Sequence, residues 1–379
     1  MSQEPIRVLQ IVGRMDRGGI ETMIMNLYRH VDREKVQFDF LAHYGREAVY
    51  NDEIRAMGGR IYEMPALKDE NRVYYWRYFA YRRALRKFFR DHPEYRVIHG
   101  HMTNTASIYL PIAKKSGVTC RIAHSHSTKG KAGLLGIVTN LLQKPVYKHS
   151  TDFFACSEGA KGWLYPKKLI DSGKVRILAN AVDGQRFRFD PAVRQKLRQE
   201  LKLGDRLAVV SVARFRQEKN QIFLVEVLRE LVQAGQDVVF VFAGDGPCEE
   251  QVKAKVRQYG LEEYTRFLGM RTDVPDILQG ADVFVLPSLF EGMPVTAIEA
   301  QAAGLPCLVS EGLTQEMNVL DMVRYLPLEP AVWAKAITAA AGFDRQDTYE
   351  KIVASGYDIN TTAPWLQEFY IKKHQEGLL

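Results

Sequence analysis

Asp282-Val283-Phe284-Val285-Leu286-Pro287-Ser288-Leu289-Phe290-Glu291-Gly292-Met293-Pro294-Val295-Thr296-Ala297-Ile298-Glu299-Ala300 reads as a strand, a loop and a helix in immediate succession. The apolar run 282–286 predicts a buried strand that ends at Pro287, a residue with no N–H for a ladder. Pro294 suits the first turn of a helix, where a missing N–H costs nothing. That helix is expected over 295–303, stopping at Gly304 with Pro306 two residues on. Groups at the C-terminal end of a strand stand where open α/β sheets bind ligands. The unpaired N–H groups of Val295 and Thr296 would attract an anion. Two acids, Glu291 and Glu299, beside such a terminus suit a ligand that carries both phosphate and sugar hydroxyls.

The same alternation fills the chain. Strands are expected at 7–12, 37–42, 60–64, 97–101, 119–124, 152–156 and 175–178. A second series is expected at 207–213, 238–243, 266–268, 282–286, 306–309 and 323–326. Helical stretches between them argue for βαβ units and parallel sheets. Two such series argue for two doubly wound α/β domains. The division falls at the connector Arg186-Phe187-Arg188-Phe189-Asp190-Pro191. The expected bounds are 1–185 for the first domain and 186–350 for the second. Residues 351–379 then form a closing segment whose aromatics, Trp365 among them, need a partner surface on the first domain.

Composition sets outer limits. The 379 residues exceed one ordinary core. A hydrophobic content of 46% and a charged content of 26% are those of a water-soluble globular chain. The polar opening Met1-Ser2-Gln3-Glu4-Pro5 leads into a strand, so no secretory leader is expected. Cys120, Cys156, Cys248 and Cys307 lie far apart and suit buried thiols in a reducing, cytoplasmic compartment. The net charge of +7 fits anionic ligands or an anionic membrane surface and does not choose between them. Nothing points to nucleic acid.

Other strand ends add candidates. After the first strand, Gly18-Gly19 opens a helix at Ile20-Glu21-Thr22. Adjacent glycines let backbone N–H groups approach a ligand, although a plain tight turn has the same composition. Arg214 and Lys219 follow the strand 207–213, where two cations would clamp a diphosphate. Gly244-Asp245-Gly246-Pro247 ends the next strand, as a close ligand approach or as ordinary turn chemistry. His124 and His126 end a strand of the first half, and His99 and His101 repeat the spacing one strand earlier. A pair of histidines could ligate a metal but lacks a third ligand of recognised spacing; contact with a sugar hydroxyl is the other reading. Residues 74–90 form a basic, aromatic-rich helix. Its periodicity favours a packed helix with a solvated basic edge over one lying on an anionic membrane.

Together these residues resemble glycosyltransferase family 4, enzymes of the GT-B fold. The resemblance rests on Ser288-x-x-Glu291-Gly292-x-Pro294 with Glu299, on Arg214 and Lys219, on Gly244-Asp245-Gly246-Pro247, on Phe267-Leu268-Gly269, and on the Gly18-Gly19 loop with a strand-end histidine. The wording Gly18-Gly19-Ile20-Glu21, Arg121-Ile122-Ala123-His124-Ser125-His126 and Ser355-Gly356-Tyr357-Asp358 is nearest to bacterial capsular and exopolysaccharide members. The family implies two Rossmann-like domains facing across a cleft, and retaining transfer from a nucleotide sugar, UDP-linked here, without a metal or other cofactor. It implies a glycan or lipid-linked acceptor and a place at the inner face of the cell membrane.

Carried over, Arg214 and Lys219 hold the diphosphate and the amides of Val295 and Thr296 meet phosphate. Glu299 binds the ribose hydroxyls, while Glu291, with Gly292, Met293 and Pro294, lies by the sugar. Gly18, Gly19 and Gly244 approach the donor, and Gly269 and Met270 lie near the base. His124 and His126 both fit the family's cleft histidine, and His124 is the one favoured. Asn180-Ala181-Val182-Asp183 departs from the family's Asn-Gly-x-Asp, so a turn with a different backbone is expected there. A nucleotide-sugar epimerase on the same fold, and a non-catalytic sugar-nucleotide-binding subunit, are the alternatives.

Overall fold

The computed structural model describes residues 4–16, 18–43, 47–65, 77–127 and 144–378. Among these, thirteen strands form two all-parallel sheets. The first sheet holds β1 (Ile6–Val12), β2 (Val36–Ala42), β3 (Ile61–Glu63), β4 (Val97–Gly100), β5 (Cys120–Ser125), β6 (Asp152–Ala155) and β7 (Val175–Ile177). The second holds β8 (Leu207–Val212), β9 (Val238–Ala243), β10 (Thr265–Phe267), β11 (Val283–Leu286), β12 (Cys307–Ser310) and β13 (Val323–Leu326). Every expected strand is present, with ends displaced by no more than one residue. Runs such as Val238–Ala243 are buried along their whole length, as strands covered on both faces must be.

The strand orders are β3-β2-β1-β4-β5-β6-β7 and β10-β9-β8-β11-β12-β13. In each sheet the chain builds outward to one side, then returns to the middle and builds the other way. The reversals fall between β1 and β4 and between β8 and β11. At such a point the connections on either side leave in opposite directions and open a crevice at the strands' C-terminal ends.

The chain divides into Met1–Ala181 with Ile359–Leu379, and Val182–Asp358. Residues 182–185 and 351–358 therefore belong to the second unit, against the expected bounds. The local chemistry explains the shift. Val182 N donates to Tyr357 O at 2.8 Å, and Val182 bridges Asp358 as a short parallel pair. Asp183 caps the short helix Gly184–Phe187 by accepting from Arg186 N. Gly184 N donates to Asp358 Oδ1 at 3.3 Å. The chain thus enters and leaves the second unit side by side. Ala181 closes its turn, N to Ala179 O at 2.8 Å, without a positive φ.

Three helices matter for the sites. Helix α1 (Gly19–His30) follows β1. Helix α2 (Arg77–Asp91) buries Tyr81, Leu85, Phe88 and Phe89 on one face. It leaves Arg83, Arg86, Lys87 and Arg90 exposed on the other, as the packed-helix reading expects. Residues 74–76 of the expected helix lie outside the described residues. The last of the three, α4 (Ile359–Glu376), buries Ile359, Ala363, Leu366 and Tyr370 in one core with Val8, Phe38, Val97 and Phe154. Burying Ile359 and Leu366 contributes about 1.5–3 kcal/mol each. Trp365 is partly exposed and stacks on Phe369. Among the described residues no helix is long and apolar enough to cross a membrane.

Candidate functional site

The second unit gathers its candidates around the reversal between β8 and β11. Lys219 ends a short 3-10 turn after β8, and Glu291 lies in the loop after β11. The structure joins them: Lys219 Nζ donates to Glu291 Oε1, and both side chains are largely buried. Ser288 Oγ donates to the same oxygen at 2.7 Å. Ser310 Oγ donates in turn to Ser288 O. Two further bonds tie the loops. Leu289 N donates to Glu218 O at 2.8 Å, and Asn220 Nδ2 to Pro287 O at 3.3 Å. Asn220 takes the left-handed conformation, φ 54°, which asparagine tolerates better than most residues. Arg214 is exposed beside Asp245, Nε to Oδ1 3.9 Å.

Helix α3 (Val295–Ala302) begins at Pro294, which is its N-cap, one residue before the expected first turn. Proline offers no capping side chain. Among the described residues the N–H groups of Val295 and Thr296 have no backbone acceptor, which leaves them open to an anion. Gly292 is exposed before the helix, and Met293 packs on the unit's core. Glu299 stands one turn into α3. Burial pushes its carboxyl up to about 7, against the opposing pull of Arg186. The loop also presents Phe290, 65% exposed.

The glycines sort by cause. Gly244 has φ 138°, and a Cβ there would stand 2.1 Å from Ala213 O. Gly246 has φ 150°, with a Cβ 2.4 Å from Phe215 O. These two are required by backbone packing, since Ala213 N donates to Ala243 O and Phe215 N to Asp245 O. Gly269 N-terminal to exposed Met270 accepts from Gly244 N at 2.8 Å through its carbonyl. The β8, β9 and β10 loops are therefore one hydrogen-bonded layer. In the first unit, Gly18 is the N-cap of α1 with an extended backbone, φ −112°. A Cβ at Gly19 would meet nothing within 4 Å, so the protein's own packing leaves that space open.

Beside the first unit's reversal, four histidines form a block. His99 on β4 and His124 on β5 hydrogen-bond, Nε2 to Nδ1, at 3.1 Å. One layer further along, His101 Nδ1 and His126 Nε2 lie 2.9 Å apart. The layers stack, with ring centroids 4.3 Å apart for His99 and His101 and 4.0 Å for His124 and His126. Gln10 Oε1 meets His101 Nε2 at 3.0 Å, and Gln10 Nε2 lies 3.5 Å from the Tyr370 hydroxyl. That hydroxyl lies 2.6 Å from His99 Nδ1. Burial lowers the pKa of all four rings, so they are held neutral. His124, favoured from the sequence, is 0% exposed; His126, just beyond the strand, is the ring only partly buried. Of the two, His126 keeps the larger accessible surface. The third nitrogen ligand missing from the sequence is also present, since His99, His101 and His124 bring ring nitrogens within 4.8 Å of one another. Stacked planes whose nitrogens already pair with each other do not converge on one ion.

Gln10 and Tyr370, some 360 residues apart, escaped the sequence reading because only the fold brings them together. Ser288, which fixes Glu291 Oε1, belongs to the same motif. Its hydroxyl three residues before Glu291 was the available signal.

Two all-parallel sheet units, each with a strand-order reversal, are the pattern of the GT-B class. Over its length the chain superposes on Anabaena HepE in complex with UDP, with a TM-score of 0.76 and 16% identity, covering 97% of this chain and 100% of that one. Residues 17–186 match the family model described as Glycosyltransferase Family 4, and residues 193–321 that described as Glycosyl transferases group 1. A protein named as the glycosyltransferase EpsF of Bacillus subtilis is 33% identical over 98% of this chain and 97% of its own. The UDP-Gal:alpha-D-GlcNAc-diphosphoundecaprenol alpha-1,3-galactosyltransferase of Escherichia coli is 31% identical over 57% of this chain and 58% of its own. The chain belongs to glycosyltransferase family 4.

Proposed function

We propose that this glycosyltransferase moves a sugar from a UDP-sugar to a glycan or lipid-linked acceptor in bacterial surface polysaccharide synthesis, with retention of anomeric configuration and without a metal or other cofactor. The observation that carries the donor site is the Lys219–Glu291 pair at the second reversal, with Arg214 exposed after the same strand as Lys219 and the open amides of α3 following the loop of Glu291. Breaking the glycosidic bond puts negative charge on the leaving diphosphate. Arg214, Lys219 and the N–H groups of Val295 and Thr296 supply positive charge where that charge develops, the task a metal performs elsewhere. Glu291 holds Lys219 in place and offers its second oxygen to a sugar hydroxyl. Glu299 accepts from the ribose hydroxyls.

The E. coli relative's name supports a UDP-sugar and a lipid-linked acceptor, and HepE supports UDP. The exposed basic face of α2, with Phe79 at its start, fits the cytoplasmic face of an anionic membrane, where such an acceptor resides. The test is to incubate the purified protein with a panel of nucleotide sugars, with and without membrane lipid extract. Acceptor-dependent UDP release, with an α-linked product from an α-linked donor and no loss in a chelator, is the expected result. Product formed without acceptor would establish the epimerase, and binding without turnover the non-catalytic subunit.

A further inference from the structure

The histidine block has a direction, and its direction fixes what one of its rings can recognise. Gln10 Oε1 can only accept, so His101 Nε2 carries a proton and its Nδ1 is a bare lone pair. That lone pair must accept from His126 Nε2. On the other side, Gln10 Nε2 donates to the Tyr370 hydroxyl, which passes its own proton to His99 Nδ1. His99 Nε2 then donates to His124 Nδ1. The chain ends at His124 Nε2, which is buried and has no hydrogen-bond partner among the described residues. In the His101–His126 layer every nitrogen has one assignment, and a single amide sets it.

We propose that Gln10 is a positioning residue that fixes His126 as the Nε2–H tautomer, so that His126 Nδ1 presents only a hydrogen-bond acceptor. An acceptor takes a ligand hydroxyl and refuses a phosphate oxygen, which has no proton to give at neutral pH. On the glycosyltransferase reading, on which this last step rests, His126 therefore selects a sugar hydroxyl over a phosphate oxygen. Tyr370 carries the same polarity to the deeper layer and has no direct hold on His126.

Two-bond proton–nitrogen spectra of protein labelled with 15N-histidine test this without any substrate. Wild type should show His101 and His126 protonated at Nε2, with the two ring protons far downfield and slow to exchange. Gln10→Leu should abolish both slow protons and let His126 average between tautomers. Gln10→Glu, which keeps an acceptor at the same place, should restore them. Tyr370→Phe should disturb His99 and His124 and leave His126 as it is, which keeps the test alive should Gln10→Leu not fold. His126 protonated at Nδ1 in wild type, or unchanged His101 and His126 signals in Gln10→Leu, would overturn the proposal. In turnover, Gln10→Leu should lower kcat several-fold at unchanged UDP affinity. Absence of any transferase activity in wild type would sink the functional reading and leave the spectra standing.

Discussion

Lys219 and Glu291, 72 residues apart, form an ion pair across the reversal of the second sheet. A lysine suited to diphosphate and a glutamate suited to sugar are in direct contact. Their roles are therefore coupled. Lys219→Ala should weaken UDP binding by about 10-fold, or about 1.4 kcal/mol. Glu291→Gln should keep UDP affinity within a few-fold and lower kcat by about 10². The double variant should reveal a coupling of about 0.5–3 kcal/mol by calorimetric titration. Strictly additive losses would mean that the pair is incidental.

Glu299 predicts a pH dependence. Its carboxyl is raised to about 7, above the ordinary value near 4.3 for an unfolded chain. A raised carboxyl favours the fold at low pH, and that contribution is lost as pH rises through about 7. Glu299→Gln should therefore match wild type in thermal stability near pH 4 and exceed it near pH 8. Ribose hydroxyls favour the ionised form, so UDP should bind wild type more tightly at pH 8 than at pH 6. The glutamine variant should bind it weakly and without that slope. Parallel slopes in both proteins would remove Glu299 from the ribose.

Two glycines of similar appearance should behave oppositely. Gly246→Ala forces a side chain at φ 150° into Phe215 O and should destabilise the fold by about 1–3 kcal/mol. Gly19→Ala meets open space and should leave the melting temperature unchanged while weakening whatever ligand approaches the loop. Equal thermal effects would show that the space at Gly19 is not open in solution.

The basic edge of α2 gives a fourth expectation. Replacing Arg83, Arg86 and Arg90 by glutamate should cut binding to vesicles rich in phosphatidylglycerol by about 10² or more, at about 1 kcal/mol per cation. Binding to neutral vesicles and UDP affinity should not change. Vesicle binding that ignores all three charges would leave α2 a solvated surface helix.

Much of this was legible in the sequence because the controlling physics is local. An apolar run closed by Pro287, and a helix opened at Pro294 and stopped at Gly304, are one-dimensional patterns. They placed all thirteen strands and the loops that carry the candidates. What stayed hidden depends on register and on residues distant in sequence. Gly244 and Gly246 looked like a ligand loop or a turn, whereas neighbouring backbone oxygens demand them. His124 and His126 share a spacing, and only the depth of β5 separates them. The unit boundary shifted because Val182 pairs with Tyr357, a hydrogen bond that no local composition announces.

The first unit is not continuous: α4, which follows the second unit in the sequence, fills its core. Synthesis from the N-terminus therefore inverts the order of completion. The second unit is one unbroken stretch and has all its strands once Asp358 has left the ribosome, while the earlier sheet still lacks Leu366 and Tyr370. A nascent chain stalled with residue 358 just exposed should show a protease-resistant second unit and a cleavable first one. The histidine block, which needs the Tyr370 hydroxyl, is thus assembled last, from the oldest and the newest parts of the polypeptide.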